Sequence, residues 1–409
     1  VSVTPDELES ALDGQLMFDG SSIDGFARIN DSDQSLVPDP DTFQIMPWRP
    51  KEKGVARMIC DVYNPDGTPF EGCPRGILKK VLKEATAMGF ELNMGPEGEF
   101  FLFHTDEKGN PTLDIHDQAG YFDLAPTDCG EDARRDIVLT MKQMDFRIEA
   151  SHHEVAPGQH EIDFKYDEAL KTADKWVSFR DVVKNIAKRH GLYATFMPKP
   201  LEKENGSAMH CNQSLFKNGE NIFHDPRGAY ELSDTALHYL GGLLKHAKGM
   251  TAIGNPIINS YKRLKPGFEA PTHIAWSNKN RSTLIRVPGI RGKATRIELR
   301  NPDPVANPYL AFAIMLKAGM DGIINKINPP EPVEEDIHHL SAKQRAALDI
   351  DHLPRDLYRA LKEMEKDPLI EETLGTHCCN RFLEGKYKEW FEYEKHVHVW
   401  EHENYLHKY

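Results

Sequence analysis

Two glutamates set two residues apart, in Glu97-Gly98-Glu99, run straight into the apolar stretch Phe100-Phe101-Leu102-Phe103. On a strand, residues i and i+2 point to the same face, so this segment predicts an extended chain with an acidic face and an apolar back. Three further segments repeat the design. In Glu161-Ile162-Asp163-Phe164 the two acids face one way and the two apolar residues the other. In Met209-His210-Cys211-Asn212-Gln213-Ser214-Leu215, the residues His210, Asn212 and Ser214 share a face. In Arg296-Ile297-Glu298-Leu299-Arg300 one face carries Arg, Glu and Arg. A wet face of an antiparallel sheet explains any one of these segments alone. Together they collect Glu, His and Arg, and their flanks are apolar and rich in Gly and Pro, which predicts partial burial. Carboxylates crowded on a partly buried face repel and raise each other's pKa unless a cation intervenes.

That donor set limits the chemistry. Glutamates with one histidine and no thiolate suit hard divalent ions such as Mg²⁺ or Mn²⁺. Arg296 and Arg300 beside Glu298 suit phosphate oxygens, which guanidinium binds bidentately. Metal, phosphate and arginine together point to a nucleotide-using phosphoryl-transfer site. The usual nucleotide motifs are missing: Gly289-Ile290-Arg291-Gly292-Lys293-Ala294-Thr295 has the wrong spacing for a P-loop, and no GxGxxG follows a strand. A sheet-borne metal site is expected to hold the phosphates instead.

The rest of the chain frames this site. Residues 1–70 are rich in Asp, Gly, Pro and Ser, with short apolar runs at Gln15–Phe18, Phe43–Pro47 and Val55–Val62 that read as short strands. The breaker cluster Tyr63-Asn64-Pro65-Asp66-Gly67-Thr68-Pro69 marks a domain boundary, and Pro74 opens a helix whose apolar residues Ile77, Leu78, Val81, Leu82, Ala85 and Met88 recur at helical spacing before Gly89. Further helices are expected at 131–145, 168–190, 233–249 and 306–325, and at 355–396 with a break near Asp367-Pro368. Long loops are expected at 110–130 and 251–295. Helices and strands mix without a regular βα repeat, so the fold class is α+β. The formal net charge of −14 argues against nucleic acid or an anionic membrane as the main partner. No apolar run approaches a membrane span. The six cysteines form no CxxC pair, which fits a reducing, cytoplasmic setting.

Several motifs then coincide in order. They are Phe18-Asp19-Gly20-Ser21-Ser22, Gly95-Pro96-Glu97-Gly98-Glu99-Phe100, His152-His153-Glu154-Val155-Ala156 with Gly158-Gln159-His160-Glu161, Lys199-Pro200 and Asn205-Gly206-Ser207-Ala208-Met209-His210. Asn259-Ser260-Tyr261-Lys262-Arg263-Leu264-Lys265-Pro266-Gly267-Phe268-Glu269-Ala270-Pro271, Asn280-Arg281-Ser282, Arg296-Ile297-Glu298-Leu299-Arg300 and Asp303-Pro304-Val305-Ala306-Asn307-Pro308-Tyr309 follow. On these motifs the chain resembles glutamine synthetase of the bacterial class I type over essentially its whole length.

The resemblance implies a small β-grasp-like domain over residues 1–70, its start missing. A catalytic domain over 71–409 follows, with a curved antiparallel sheet flanked by helices. It implies an ATP-dependent glutamate–ammonia ligase that works through γ-glutamyl phosphate in nitrogen assimilation. It implies two or more Mg²⁺ or Mn²⁺ ions, one on Glu99, Glu154 and Glu161, a second on Glu97, His210 and Glu298. His152 and His153 are expected to pack or hydrogen-bond near Glu154. Asn205, Gly206, His210, Arg263, Glu269 and Arg300 would contact the glutamate site, with Arg281 and Arg300 near the transferred phosphoryl group. Glu149, Tyr166, Ser214, Arg286, Lys293 and Arg296 would line the ATP pocket. Glu269 would belong to a closing lid. Asp19, an ordinary Asp-Gly turn when read alone, would come from a neighbouring subunit and take a proton from ammonium. A homo-oligomer with active sites between subunits, a dodecamer of two hexameric rings, is thereby implied, acting on small molecules without direct nucleic acid or membrane contact.

Departures from the family pattern are specific. Gly98 replaces a proline and is expected to loosen its strand, Ala208 replaces a glycine, and Asn212 stands where some relatives have histidine. The segment Ile337-His338-His339 lacks the tyrosine that some relatives adenylylate, so that regulation is not expected. The histidines His377, His396, His398, His402 and His407 lack ligand spacing and read as a solvated or interfacial helix. Family chains carry a few tens of residues before the segment matching Val1, so the count of 409 is expected to be incomplete. A γ-glutamyl-polyamine ligase of the same fold, a non-catalytic relative and a metal-dependent hydrolase are the competing readings. The intact glutamate set disfavours the second, and the arginines and lid motif disfavour the third.

Overall fold

In the computed structural model, residues 1–23, 25–27, 32–337 and 339–409 are described; His338 lies outside them. The N-terminal runs build a three-stranded antiparallel sheet from Leu16–Asp19, Asp33–Pro38 and Cys60–Tyr63, with Asp33–Pro38 in the middle. That central strand opens Asp-Gln-Ser, so no apolar run marks it, yet Gln34 and Ser35 are buried. The run at 55–62 splits into Ala56–Arg57 and Cys60–Tyr63.

After the turn, the helix Pro74–Ala87 buries Ile77, Leu78, Val81 and Ala85 and ends before Gly89. Arg75, in its first turn, fastens the small sheet to the rest of the molecule. Its side chain is 4% exposed and meets Asp39 at 2.8 Å, Asp61 at 3.0 Å and Asp174 at 2.9 Å. Asp39 and Asp61 flank and belong to the N-terminal sheet, while Asp174 sits on the helix Ala169–Arg189. Tyr309 donates its hydroxyl to Asp174 at 2.7 Å, so the cluster extends to the buried helix Pro308–Ile324.

Among the described residues the main sheet has eleven strands. Its path runs Trp276–Ser277, Ile285–Arg286, Ile297–Leu299, Cys211–Lys217, Glu91–Thr105, Gln159–Phe164, Ile148–His153. Along it only the first pair is parallel; the others are antiparallel. The fifteen-residue strand Glu91–Thr105 is the spine, pairing with Cys211–Lys217, Gln159–Phe164, Leu192–Thr195 and Pro111–Ile115. The helix Ala169–Arg189 covers its apolar back, where Phe100, Ile162, Trp176 and Phe179 are fully buried. The architecture is α+β, a small N-terminal unit on a three-stranded sheet followed by a large unit of mixed sheet and helices.

Some expected elements change. The helix expected over 233–249 is two, Asp234–Lys245 and Ala247–Gly254, because His246 leaves the helix to bond Asp367 at 2.7 Å and Asp321 at 3.0 Å. The stretch 355–396 breaks at Asp367 and again at Gly375, giving Leu357–Lys366, Pro368–Leu374 and Thr376–Glu394. Within 110–130, expected as loop, Pro111–Ile115 joins the spine as a strand. Within 251–295, Ser260–Arg263 is a helical turn and four two-residue or three-residue strands and turns follow, including His273–Ile274. His396, His398, His402 and His407 are exposed, whereas His377 is half-buried against Phe70 and bonds the Phe26 carbonyl at 2.9 Å. Among the described residues no helix is long and apolar enough to cross a membrane.

Candidate active site

Strand alternation assembles the acidic wall. Glu97 and Glu99 leave the spine on one face, and the register sets Asp163 opposite Glu97 and Glu161 opposite Glu99. Glu154 follows the strand Ile148–His153 and is tied back by its N–H on the Gln159 carbonyl at 2.8 Å. His210 immediately precedes Cys211–Lys217, and Glu298 is the middle residue of Ile297–Leu299.

Gly98, between the paired glutamates, points to the back. A Cβ there would lie 2.7 Å from Phe179 Cε1 and 2.9 Å from the Ile162 carbonyl oxygen. The strand is therefore not loosened at Gly98: it stays paired with Ile162, and the phenyl ring occupies the room a side chain would need.

Crowding controls the charge of the wall. Burial, then neighbouring carboxylates, pushes Glu99 and Glu161 well above the ordinary carboxylate range. Burial raises Glu154 too, and burial with the charge of Glu97 takes Asp163 to about 8. Glu97 goes the other way: burial opposes ionisation, but the hydrogen bonds from His210 at 2.8 Å and Asn212 at 2.9 Å outweigh it, and its carboxyl falls to about 2. His210 is held below its ordinary value by burial and by Arg300. Its Nδ1 faces Glu97 at 2.8 Å, and Glu99 and Glu298 each at 3.9 Å.

These donors fit divalent cations. Glu97, His210 and Glu298 form one group with ligand atoms within 4.8 Å of one another, and His152, Glu154 and Glu161 form another. Glu99 stands between them: its Oε2 accepts the Ala208 N–H at 2.8 Å and the Gln159 side chain at 3.1 Å, and its Oε1 lies 3.9 Å from His210. His153 bonds the Glu154 carbonyl at 2.7 Å, as expected, but His152 turns its Nε2 toward Glu161 at 3.6 Å and joins the donor set.

Two cavities meet at this wall. The larger, about 470 Å³, is lined by Glu99, Glu154, Glu161, Asn205, Gly206, His210, Arg263, Glu269, Arg281, Arg286 and Arg300. Gly206 is obligatory there, since a Cβ would fall 2.2 Å from the Pro198 carbonyl oxygen. Arg263 is buried, with its guanidinium on the carbonyls of Asn301 at 2.7 Å and Arg300 at 3.0 Å. Arg300 donates to Glu298 at 2.6 Å, and Arg286 also bonds Glu298. The smaller cavity, about 330 Å³, is lined by Glu149, Tyr166, Ser214, Lys293 and Arg296. Glu97 and Asp163 line both.

One residue falls elsewhere than expected, and two others stand outside both cavities. Arg286, expected beside the nucleotide, lines the larger cavity because Glu298 draws its guanidinium there. Glu298 itself is fully buried beneath the two arginines and lines neither cavity. Asp19 lines neither cavity within one chain; it is exposed and accepts from Ser21 N at 2.9 Å and from the Ser21 and Ser22 hydroxyls, each at 2.6 Å, which hold its carboxyl below the ordinary value. Tyr121, Gln159 and Asp163 line the cavities without having been expected as site residues. Asp163 carried a signal, two residues from Glu161 on the same strand face. Tyr121, on a long connection, carried none.

The family model described as glutamine synthetase, catalytic domain, matches residues 71–405, and that described as glutamine synthetase, beta-Grasp domain, matches residues 1–65. A glutamine synthetase of Clostridium saccharobutylicum is 56% identical over 409 residues, covering 100% of this chain and 92% of that protein. One of Staphylococcus aureus (strain N315) is 56% identical, with the same coverage. Among solved structures, a GmaS/ADP complex superposes with a TM-score of 0.90 at 33% identity, over 99% of this chain and 93% of that one. A Plasmodium falciparum glutamine synthetase does so with a TM-score of 0.86 at 27% identity, over 99% of this chain and 91% of that one.

Proposed function

Since the chain belongs to the glutamine synthetase family and is an ATP-dependent ligase forming glutamine from glutamate and ammonia, we propose that its two adjoining cavities divide that reaction between them. The larger takes glutamate and ammonium, the smaller takes ATP, and the acidic wall between them is where the phosphoryl group crosses. The observation that carries this reading is that Glu97 and Asp163 line both cavities.

In the larger cavity Asn205, Gly206, His210 and Arg263 hold glutamate, with Arg263 toward its α-carboxylate. Arg281 and Arg300 stand by the γ-carboxylate, where negative charge gathers as it attacks the γ-phosphate. In the smaller one Glu149, Tyr166, Ser214, Lys293 and Arg296 hold the nucleotide; Arg286, bonded to Glu298, serves the phosphate end from the glutamate side. The family uses divalent metals, and we assign Mg²⁺ or Mn²⁺ to two positions, one on Glu99, Glu154 and Glu161 and one on Glu97, His210 and Glu298. When bound, such ions screen the repulsion between carboxylate and phosphate and polarise the phosphoryl oxygens. The raised carboxyls of Glu99, Glu154 and Glu161 support this assignment, since a cation relieves their mutual repulsion.

The product of the first step is γ-glutamyl phosphate, which ammonia then converts to glutamine with release of phosphate. Water destroys that intermediate, so Glu269 and its loop act as the lid that excludes it. Asp19 takes the proton from ammonium. Its exposure, and its absence from both cavities, support delivery from a neighbouring subunit. The assembly we infer is a dodecamer of two hexameric rings. The matched stretches 1–65 and 71–405 support a division at 1–70 and 71–409. Six free cysteines support a cytoplasmic setting.

Phosphate release with ATP, glutamate and ammonium, each omitted in turn, tests this function. Release should need all three, with glutamine as product. Turnover with putrescine but not ammonium would instead identify a γ-glutamyl-polyamine ligase.

A further inference from the structure

One buried cation beside the larger cavity has no part in the account above. Lys199 is only 6% exposed. Asn259 clamps its main chain from both sides: the Asn259 side-chain oxygen accepts Lys199 N–H at 2.8 Å, and its amide donates to the Lys199 carbonyl at 3.0 Å. Among the described residues no carboxylate forms an ion pair with the Lys199 ammonium. It donates instead to the carbonyl of Glu204, the residue before Asn205, and sits 3.2 Å from the ring centroid of Phe268, the residue before Glu269.

A buried ammonium is costly unless fixed partial charges replace its water. A carbonyl oxygen and an aromatic face supply that replacement, and the aromatic face belongs to the loop that carries Glu269. Within that loop Pro266, Gly267 and Glu269 are exposed, while Phe268 is half-buried and lines the cavity. The ring is thus the loop's inward anchor, and Lys199 is its seat. The same ammonium reaches the main chain beside Asn205-Gly206.

We propose that Lys199 is a positioning residue: seated under Phe268, it holds the loop so that Glu269 stays over the cavity and couples that closure to the Asn205-Gly206 segment. This rests on the reading of the Glu269 loop as a lid. Loosening the seat lets water reach the intermediate, so phosphate is released without glutamine.

The test uses the full-length enzyme and four variants. Lys199→Met keeps the stem and removes the charge, Phe268→Leu keeps bulk and removes the ring face, Phe268→Tyr keeps the ring, and Glu269→Ala removes the lid carboxylate. Amide hydrogen exchange of 264–271 should quicken roughly three- to thirty-fold in Lys199→Met and Phe268→Leu, the range expected for a partly desolvated cation–π contact. Phe268→Tyr should keep the parent exchange rate. The ratio of phosphate released to glutamine formed should rise in the first two variants and in Glu269→Ala. Parent-like loop exchange and ratio in Lys199→Met, with the ratio raised in Glu269→Ala, would overturn the role of Lys199 and leave the lid reading standing. An unchanged ratio in Glu269→Ala would overturn the lid reading, and loop exchange alone would then judge the Lys199–Phe268 contact.

Discussion

Glu99 and Glu161 are direct cross-strand partners, Cα opposite Cα on adjacent antiparallel strands, with both side chains buried in the same acidic wall. Like charges placed opposite each other on one sheet face destabilise it. Burial comes first in keeping both carboxyls well above their ordinary range, joined by the charges of Glu154 and Glu97 at Glu99 and of Asp163 and Glu99 at Glu161.

Glu161→Gln removes one of the two charges. In chelator, the variant is expected to unfold at the same temperature as the parent or higher. With Mg²⁺ the order reverses. A ligand at about 100 times its dissociation constant stabilises by about 2.7 kcal/mol, and the variant should gain clearly less. Thermal unfolding across a Mg²⁺ titration reads both effects; equal metal-induced shifts in parent and variant would remove Glu161 from the ligand set.

Gly98→Ala places a methyl against Phe179 Cε1 at 2.7 Å and the Ile162 carbonyl at 2.9 Å. Overpacking of a core typically costs about 1–3 kcal/mol. The expected outcome is a less stable enzyme, partly restored by Phe179→Leu in the same chain, whereas Phe179→Leu alone destabilises. Denaturant unfolding of the four proteins checks this, and additive effects would show that ring and glycine do not fit each other.

Arg75→Met leaves Asp39, Asp61 and Asp174 without their shared cation. Removing one partner of a buried ion pair costs about 3–5 kcal/mol, and here the loss falls between the N-terminal sheet and the catalytic unit. Limited proteolysis of the first 70 residues should accelerate before global unfolding does. Unaltered proteolysis would mean that the remaining contacts, the Arg57–Asp181 ion pair at 2.7 Å among them, dock the sheet without Arg75.

His246 gives the pH dependence. Burial opposes its protonation, but Asp367 and Asp321 outweigh it and raise its pKa above the ordinary 6.5. The folded protein therefore holds this proton more tightly than the unfolded chain. The stabilisation is fully present below about 6.5 and is lost as pH rises through the higher folded value. The stability gap between parent and His246→Gln should be widest near pH 6 and narrow on the alkaline side. A gap that widens with pH would contradict the assignment.

Much of the site was legible because strand alternation writes faces directly into sequence. Glu97 and Glu99, or Glu161 and Asp163, need only the two-residue period to be placed together. Which strands adjoin was not legible, since pairing Glu99 with Glu161 depends on contacts between distant segments. Arg286 shows the same limit: its two-residue strand pairs with Ile297–Leu299, opposite Glu298, and that pairing moves it to the glutamate side. Asp33–Pro38 was hidden because two of its three buried positions are Gln34 and Ser35, polar residues whose burial no hydropathy pattern announces. The break at His246 came from side-chain bonds to Asp321 and Asp367, which helical periodicity does not record.

The central claim is that a phosphoryl group crosses the wall shared by the two cavities onto the γ-carboxylate of glutamate. Glutamate labelled with ¹⁸O in that carboxylate tests it most directly, with the released phosphate analysed by mass. The account predicts one labelled oxygen carried into phosphate for each glutamine formed. Unlabelled phosphate, with glutamine still produced, would contradict it.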